Sequence, residues 1–403
     1  MSSAGASPDL LVVGAGVIGA WTALRAAESG RSVAIVDAFG PGDPRATSGE
    51  ESRITRASHG PDELYSRWSR DALTAWRELE ARAGASIFVP SGVVWFAQRE
   101  DGFEASSEVT LRRLGIRVER LSPSELSRRW PAIAGTDLAF GLHEPEAGAL
   151  RARLGLLAAI RELEALGGSL RVDRVHPGRA DGTRLLDVET DAGGRISAAA
   201  FVFAAGPWLP LIFPELLGDL IAVTKQDVIF LGSAPGDRRF EADRFPAWID
   251  YDGAIYGIPS IDGRGPKIPP DAYGPPFDPD TADRLVDPAS IATVRDYLAV
   301  RIPDLAARPV VETRVCQYEA TPDTHFVIDR HPDYDNVWVV GGGSGHAFKH
   351  GPEIGRYVAA LVDGGTPPNA PPDDRFSLAR DRRANAALRA GSSSPRPLPS
   401  PTR

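Results

Sequence analysis

The chain has 403 residues, of which 42% are hydrophobic, and it carries a formal net charge of −9. This length allows two or three domains with a sizeable core, and the acidic balance argues against the basic face that nucleic-acid binding requires. The single cysteine excludes an internal disulfide, and the seven histidines show no zinc-ligand spacing, so no metal site is predicted. No apolar run reaches transmembrane length, and the N-terminus, MSSAGASPD, does not have the pattern of a signal peptide. We therefore expect a cytoplasmic protein without nucleic-acid or membrane partners.

The first predicted elements are a strand, a glycine turn and a helix. DLLVVGA is a continuous apolar run, typical of a strand buried on both faces, and VIGAWTALRAAES has apolar residues at helical spacing before Gly30. SVAIVDA is a second buried strand that ends in Asp37. The stretch DELYSRWSRDALTAWRELEARAG predicts a long amphipathic helix, and ASIFVPSGVVWFAQRE predicts a β-hairpin.

Strand and helix patterns of the same kind return in the middle and near the end, at AAAFVFAAGPWLP and at NVWVVGGGSGHAFKHGPEIGRYVAALVDG. The segments between them are rich in proline and aromatic residues and contain alternating strands such as DVIFLG. The predicted class is therefore α/β. A nucleotide-binding domain is assembled from residues 5–84, 145–213 and 321–380, a β-sheet substrate domain from residues 85–144 and 214–320, and residues 381–403 form a flexible Ser/Pro-rich tail.

The motif GAGVIG supplies three glycines between the first strand and the first helix. Gly14 permits the tight turn, Gly16 leaves room for a pyrophosphate, and Gly19 lets the helix pack closely on the strand. Asp37, at the end of the second strand, is placed to bind a ribose hydroxyl and disfavours NADP. The position of the motif between strand and helix favours a dinucleotide site, but the motif alone does not separate FAD from NAD.

The interruption of the nucleotide-binding domain favours FAD over NAD, because an NAD dehydrogenase usually completes a compact nucleotide-binding unit within its first half. From about Asp9 to about Gly365 the chain resembles the monomeric sarcosine oxidase family of FAD-dependent amine oxidases, within the D-amino-acid-oxidase-like superfamily. The resemblance is strongest in DLLVVGAGVIG, SRITRASHG, IYGIPSIDGRGPK, CQYEATPDTHFVIDRHP and GGGSGHAFKHGPEIG. It implies a monomer with an FAD-binding Rossmann-like domain of the glutathione-reductase type and a β-sheet substrate domain. It also implies that Val17 and Ile18 join the glycines in holding FAD.

The resemblance gives the only cysteine a role. In the family, a cysteine that begins a C-x-Y-x-x-T-x-D-x-H-F motif is joined through sulfur to the 8α-methyl group of the flavin. Cys316 stands at that place, so covalent attachment is expected. The motif is matched by Tyr318, Thr321, Asp323, His325 and Phe326.

Four basic residues match family positions as well. The resemblance assigns Arg53 to the neighbourhood of the flavin, and Arg56 and Lys349 to a substrate carboxylate, which the planar fork of arginine binds well. Lys267 matches the lysine that promotes reaction with oxygen, since a fixed positive charge stabilises nascent superoxide. The remaining predicted site residues are Tyr256, in the substrate pocket, and Gly345 and His346, along the flavin ring.

Two positions depart from the family pattern. A substrate-side histidine of the family is replaced by Asp271, and a pocket glutamate is replaced by Pro61. The carboxylate of Asp271 could favour a substrate with a second cationic group, or it could point away from the pocket. Sarcosine itself is therefore in doubt as the substrate.

The resulting prediction is an FAD-dependent oxidase of the C–N bond of an amino acid or of a secondary or cyclic amine that carries a carboxylate. The products are an imine and hydrogen peroxide, and molecular oxygen is the second substrate. One alternative is a biosynthetic amine oxidase that forms an unsaturated nitrogen ring. Another is a flavin dehydrogenase that passes electrons to a protein partner, and a third is a redox-inactive FAD-binding module.

Overall fold

A computed structural model describes residues 7–380 of the chain, and the predicted tail 381–403 lies outside the described residues. No helix in this part of the chain is long and apolar enough to cross a membrane. The helices are α1 (Val17–Glu28), α2 (Glu63–Ala83), α3 (Phe103–Arg113), α4 (Pro123–Arg129), α5 (Ala152–Ala165), α6 (Leu209–Ile212), α7 (Pro214–Leu217), α8 (Pro288–Arg301), α9 (Pro303–Ala306) and α10 (Gly351–Val362).

The strands are short except for two. They are β1 (Leu10–Val13), β2 (Val33–Asp37), β3 (Ser52–Thr55), β4 (Phe88–Val89), β5 (Val93–Ala97), β6 (Glu119–Leu121), β7 (Phe140–Glu144), β8 (Gly148–Arg151), β9 (Ser169–Val172), β10 (Val175–Pro177), β11 (Ala180–Asp181), β12 (Arg184–Leu185), β13 (Asp187–Thr190), β14 (Arg195–Ser197), β15 (Ala200–Phe203), β16 (Ala222–Leu231), β17 (Ala247–Asp250), β18 (Ile255–Gly257), β19 (Val310–Ala320), β20 (Val327–Arg330) and β21 (Val337–Gly341).

A six-stranded sheet forms the centre of the first layer, in the order β20-β21-β15-β1-β2-β9. Five of its strands are parallel, and only β20 runs antiparallel at the edge. The central strands β1, β15 and β21 are buried throughout, which is why they read as continuous apolar runs in the sequence. Strands distant in sequence thus meet in one sheet, and the predicted α/β class is confirmed.

Helices and a small meander cover the two faces of this sheet. Helix α1 packs against α10 and α5, and α2 packs against α5 and α10. The buried face of α1 includes Trp21, which meets Trp76 of α2 edge to face with ring centroids 5.0 Å apart. On the other face lies an apolar cluster containing Val188, from the meander β10-β13-β14, and Phe201. This packing on both faces holds the sheet, and with it the carboxyl ends of the parallel strands, in place.

The second large sheet has the order β18-β17-β5-β7-β6. The predicted hairpin over ASIFVPSGVVWFAQRE is wrong, because β4 pairs with β8 and β5 pairs with β7 and β17. Strand β5 is buried on both faces and so takes a central place, with partners far away in sequence. The small sheet β3-β8-β4 carries Arg53 on β3.

The two long strands, β16 and β19, form an antiparallel ribbon that positions much of the site. Lys267 is hydrogen-bonded through its backbone to Ile258 and pairs with Phe230 of β16, so its segment runs between β18 and the ribbon. Cys316 and Tyr318 lie on β19. Residues from both large layers therefore converge beside the ribbon.

Candidate functional site

A cavity opens at the carboxyl ends of β1, β2, β15 and β21. Ligands of open parallel sheets bind at this edge, where the strand order reverses. The predicted residues that line the cavity are Gly14, Gly16, Val17, Ile18, Asp37, Arg53 and Gly345.

The glycine turn has the geometry that the sequence predicts. Gly14 has a φ of +108°, and a Cβ there would lie 2.4 Å from the carbonyl oxygen of Ala204. A Cβ on Gly19 would lie 1.9 Å from the carbonyl oxygen of Gly14, so only glycine allows the helix to start this close to the strand. At the N-terminus of α1, the N–H of Val17 donates to Oγ of Ser48 at 3.0 Å.

Asp37 holds the glycine turn together through its carboxylate. One oxygen accepts a hydrogen bond from the N–H of Ala15 at 2.7 Å, and the other accepts from Phe39 and Gly40 at 2.9 and 2.7 Å. The carboxylate also faces the cavity. Among residues 7–380, Oδ2 accepts only the bond from Ala15 and has a second lone pair, so binding of a ribose hydroxyl stays a prediction compatible with these contacts.

Two buried oxygen atoms at the cavity wall were not foreseen. Oγ1 of Thr47 and Oε2 of Glu319 have no hydrogen-bond partner among residues 7–380, and both residues line the cavity. Buried polar atoms are normally paired, so these two indicate a ligand with polar groups along its length. The other carboxylate oxygen of Glu319 accepts from the N–H of Gly343 at 3.3 Å.

Glu319 leads to a prediction about stability. Burial raises the pKa of its carboxyl from 4.5 to about 7, although the N–H groups of Gly343 and Gly342 act in the opposite direction. The folded state therefore binds the proton more tightly, and the stability that this group provides falls as pH rises from about 4.5 to about 7. Glu319→Gln should raise the free energy of unfolding by about 1–3 kcal/mol above pH 7 and change it little near pH 4.5.

Thermal unfolding of the purified protein across this pH range tests the prediction. Glu78→Gln, at an exposed position of α2, is the matched control and should leave the pH dependence unchanged. Parallel curves for wild type and Glu319→Gln at every pH would contradict the assignment.

Cys316 is buried beside Arg53. Its Sγ lies 3.3 Å from Nη2 of Arg53, which also donates to the carbonyl oxygen of Thr47 at 2.6 Å. Cys316 itself is not among the residues that line the cavity, but Arg53 is. Burial raises the pKa of the Cys316 thiol, and Arg53 partly offsets this rise. The cationic neighbour of the cysteine is thus Arg53, whereas Arg314 is paired with Glu312.

Lys267 forms a buried ion pair that the sequence did not indicate. Its Nζ lies 2.9 Å from Oε2 of Glu50 and donates to the carbonyl oxygen of Ser52 at 3.0 Å. Burial opposes ionisation of Glu50, but Lys267 and Arg53 prevail and hold the pKa of its carboxyl at about 2. Arg53, Glu50, Lys267 and Cys316 therefore form one electrostatically connected group.

Arg56, which is half-buried, and Lys349, which is buried, lie close enough to interact electrostatically and form a second group. Burial lowers the pKa of Arg56 to about 10 and that of Lys349 well below its ordinary value, and the charge of Arg56 lowers the pKa of Lys349 further. Neither forms an ion pair with an acidic residue within 4.0 Å among residues 7–380, and they donate to the carbonyl oxygens of Ser58 and His346. Glu144 is close, but its carboxylate accepts hydrogen bonds from Ala57, Ser58 and Trp95. Glu144 thus fixes the backbone that follows Arg56.

Tyr256 and Asp271 lie on the same side of the site. Tyr256 is beside Tyr318, whose hydroxyl donates to Oδ1 of Asp271 at 3.2 Å. Asp271 is near enough to Arg56 to favour its charged form. The orientation of Asp271 toward a substrate stays a prediction, and Pro61 is exposed.

Histidines form a further group that the sequence did not suggest. Ring nitrogens of His59, His346 and His350 all lie within 4.8 Å of one another. His346, predicted to line the flavin ring, has its Nε2 2.9 Å from the carbonyl oxygen of Thr324. The three residues come from two distant segments, so only the fold brings them together.

Comparison with known families now identifies the class. A family model described as FAD dependent oxidoreductase matches residues 9–361. The chain belongs to this family, and it is an FAD-dependent oxidoreductase. The predicted family, fold class and enzyme class are thereby confirmed, and FAD is supported as the cofactor.

Comparison with individual proteins shows which enzymes the chain resembles. A monomeric sarcosine oxidase from Streptomyces avermitilis is 30% identical over 368 residues, which cover 89% of this chain and 94% of the relative. An N-methyl-L-tryptophan oxidase from Salmonella heidelberg is 28% identical over 374 residues, 89% of this chain and 95% of the relative. An L-proline dehydrogenase from P. horikoshii has a similar structure, with a TM-score of 0.81 over 94% of this chain and 98% of its own, at 19% identity. That last likeness concerns the fold alone.

Proposed function

We propose that the protein oxidises the C–N bond of an amino acid, or of a secondary or cyclic amine that carries a carboxylate, to an imine, and that oxygen is reduced to hydrogen peroxide. The observation that carries this proposal is the pair of half-buried Arg56 and buried Lys349, which forms no ion pair with an acidic residue among residues 7–380. Burying cations without a counter-ion is costly. A carboxylate ligand would supply the missing negative charge.

FAD fits the main cavity. We assign its pyrophosphate to the glycine turn and the N-terminus of α1, and further contacts to Asp37, Arg53, Thr47, Glu319 and Gly345, in the domain proposed for residues 5–84, 145–213 and 321–380. When bound, the flavin accepts the electrons of the amine. The protein supplies orientation and a buried, polar environment.

The roles proposed for the protein follow from its two electrostatic groups. Arg56 and Lys349 bind the carboxylate and so orient the C–N bond, while Tyr256, Tyr318 and Asp271 lie on the neighbouring side of the pocket. Lys267, in the other group, provides a fixed positive charge for the reduction of oxygen. We further propose that the enzyme is a cytoplasmic monomer, in keeping with the related monomeric sarcosine oxidase.

A peroxide-coupled screen of N-methyl and cyclic amino acids, with oxygen uptake measured in parallel, tests this function on the purified yellow protein. We expect at least one carboxylate-bearing amine to give peroxide in proportion to the oxygen consumed. Amines of the same shape that lack the carboxylate should be poor substrates. An unsaturated ring as the product of a cyclic substrate would favour the biosynthetic alternative.

The Lys267–Glu50 ion pair favours a second candidate function, that of a flavin dehydrogenase. Because Glu50 partly neutralises Lys267, the charge available to superoxide is smaller than that of an unpaired lysine. A dehydrogenase that passes electrons to a partner would show fast reduction by substrate and slow peroxide formation under air. The same screen separates the two.

Covalent attachment of the flavin through Cys316 gives a further prediction. The wild-type protein should keep its yellow colour and its flavin mass after acid precipitation, while Cys316→Ala should release the flavin or fail to hold it. The basis is that Arg53, 3.3 Å from Sγ, favours the thiolate of Cys316, and this sulfur would hold the flavin through its 8α-methyl group. Mass spectrometry of the denatured protein is the measurement. Flavin that washes freely out of the wild type would leave Cys316 as a buried thiol only.

A further inference from the structure

Four of the seven histidines in the chain surround one tyrosine of α2. The ring centroids of His59, His325, His346 and His350 lie between 5.1 and 5.6 Å from that of Tyr65. The hydroxyl of Tyr65 is 2.9 Å from Nδ1 of His325. The function proposed above gives no task to His59 or His350, although they lie next to the proposed carboxylate site.

A metal ion is disfavoured at the three clustered imidazoles of His59, His346 and His350, in spite of their spacing. Nη1 of Arg56 lies 2.8 Å from Nε2 of His59, and Lys349 precedes His350 in the chain. Two cationic side chains at this place would repel a divalent cation. Another species that imidazoles bind is the proton.

The contact between Arg56 and His59 determines the protonation of Nε2 of the histidine. A guanidinium can only donate, so Nε2 of His59 is the acceptor and carries no proton. The other groups that face this ring are Oγ of Ser69, 3.3 Å from Nε2, and Lys349. The rings of Tyr65, His346 and His350 also face it. Burial lowers the pKa of His59 well below its ordinary value, and Arg56 and Lys349 lower it further.

His350 is in a similar position. Its side chain is fully buried, and neither ring nitrogen has a hydrogen-bond partner among residues 7–380. Burial lowers its pKa well below the ordinary value, with Lys349, His346 and Arg56 acting in the same direction. Its ring centroid is 5.2 Å from that of His59. The cluster thus holds at least two neutral imidazoles, the half-buried His59 and the buried His350, beside Arg56 and Lys349.

Binding of a carboxylate would raise the proton affinity of the cluster in two ways. A carboxylate that accepts hydrogen bonds from Arg56 competes with His59 for the guanidinium, which frees the lone pair on Nε2. Its negative charge also offsets Arg56 and Lys349, the cations that depress the proton affinity of the cluster. The site therefore gains a proton acceptor when the substrate carboxylate arrives.

We propose that the cluster of His59, His346 and His350 takes up the proton of the substrate's ammonium group, with Nε2 of His59 as the first acceptor when the carboxylate draws Arg56 away. One N–H bond of the ammonium breaks, one N–H bond on imidazole forms, and no electrons move. The substrate is left as the neutral amine, the form whose C–N bond can be oxidised. This inference rests on the proposed function, because it requires a substrate with both a carboxylate and an amine.

Calorimetric titration of the FAD-loaded enzyme at neutral pH, in buffers of different ionisation enthalpy, measures the proton exchange. Pivalate offers a carboxylate alone, and its binding should draw about one proton from the buffer. 2-Aminoisobutyrate adds an ammonium group but has no hydrogen on the carbon next to nitrogen, so it cannot be oxidised there. Its binding should exchange almost no proton with the buffer, because its own ammonium group supplies the proton.

Two variants, at His59 and at Lys349, identify the side chain that accepts the proton. His59→Gln should abolish most of the proton uptake on pivalate binding, while Lys349→Met should weaken binding and retain the uptake. Uptake that persists in His59→Gln and disappears in Lys349→Met would overturn the proposal in favour of Lys349. Pivalate binding by the wild type without proton uptake would overturn it as well and leave the proposed function intact. If neither ligand perturbs the flavin spectrum or gives heat, the carboxylate site itself is wrong.

A second measurement keeps the proposal testable if His59→Gln does not fold. In wild-type protein labelled with ¹⁵N-histidine, pivalate should convert an imidazole of the cluster from the neutral to the cationic form. In a folded His59→Gln, the half-point of the pH profile of anaerobic flavin reduction should rise by about one unit or more. Imidazole signals that do not change on pivalate binding would refute the proposal without any variant.

Discussion

Lys267→Met should slow the reoxidation of the reduced enzyme by oxygen by about two to three orders of magnitude, while reduction by substrate stays nearly unchanged. Nζ of Lys267 is buried and held by Glu50 and the carbonyl oxygen of Ser52, so the charge has a fixed position. A fixed cation stabilises superoxide as it forms and needs no reorganisation. Stopped-flow mixing of the reduced enzyme with aerated buffer measures the rate.

The ion pair makes a control necessary. Removal of Lys267 leaves the Glu50 carboxylate buried with one partner fewer, and breaking a buried ion pair in this way costs about 3–5 kcal/mol of stability. The double variant Lys267→Met/Glu50→Gln removes both charges and should recover most of the stability without recovering the reaction with oxygen. Reoxidation of the double variant at the wild-type rate would show that Lys267 takes no part in oxygen reduction.

Arg56→Ala should lower kcat/KM for the best carboxylate-bearing substrate by about 2–4 kcal/mol, or roughly thirty- to a thousandfold. The reason is that Arg56 is half-buried and forms no ion pair with an acidic residue among residues 7–380, so the proposed substrate carboxylate would be its charged partner. The loss should appear strongly in KM, because the carboxylate is bound in the ground state as well as in the transition state. Steady-state kinetics of the purified variant is the measurement.

Two comparisons make this prediction specific. An amine that lacks the carboxylate should react equally slowly with wild type and Arg56→Ala. Arg67→Ala, which removes an arginine paired with Glu63 on the surface of α2, should leave the kinetics unchanged. Equal kcat/KM values for Arg56→Ala and wild type would remove Arg56 from the substrate site.

The sequence predicted the nucleotide-binding layer well because its signals are local. The apolar run of β1, the positive φ at Gly14 and the carboxylate of Asp37 at the end of β2 all follow from residues within one strand–turn–helix unit. The hairpin predicted around Val93–Ala97 failed because both faces of that strand are buried. Periodicity then says nothing about which distant strands will pair with it.

The partners of Glu50 and Glu144 could not be predicted from the sequence, because they are distant along the chain. Glu50 reaches Lys267 across 217 positions of sequence, and Glu144 reaches Ser58 across 86. Neither acid belongs to a recognisable motif, and a charged residue is usually exposed. His59 and His350 likewise acquire meaning only from the fold that places them against Tyr65. A resemblance to a family marks shared positions, whereas these contacts are seen only in the structure.

The most direct test of the proposed function is anaerobic mixing of the purified enzyme with matched pairs of amines that differ only in the carboxylate. Loss of the visible absorbance of oxidised flavin reports electron transfer from the amine without any dependence on oxygen. We expect rapid loss of absorbance with a carboxylate-bearing N-methyl or cyclic amino acid and slow loss with its decarboxylated counterpart. The same order in Arg56→Ala, with the difference between the two amines much reduced, would agree with the carboxylate site. Flavin that stays oxidised with every amine, or that is reduced equally fast by both members of each pair in the wild type, would contradict it.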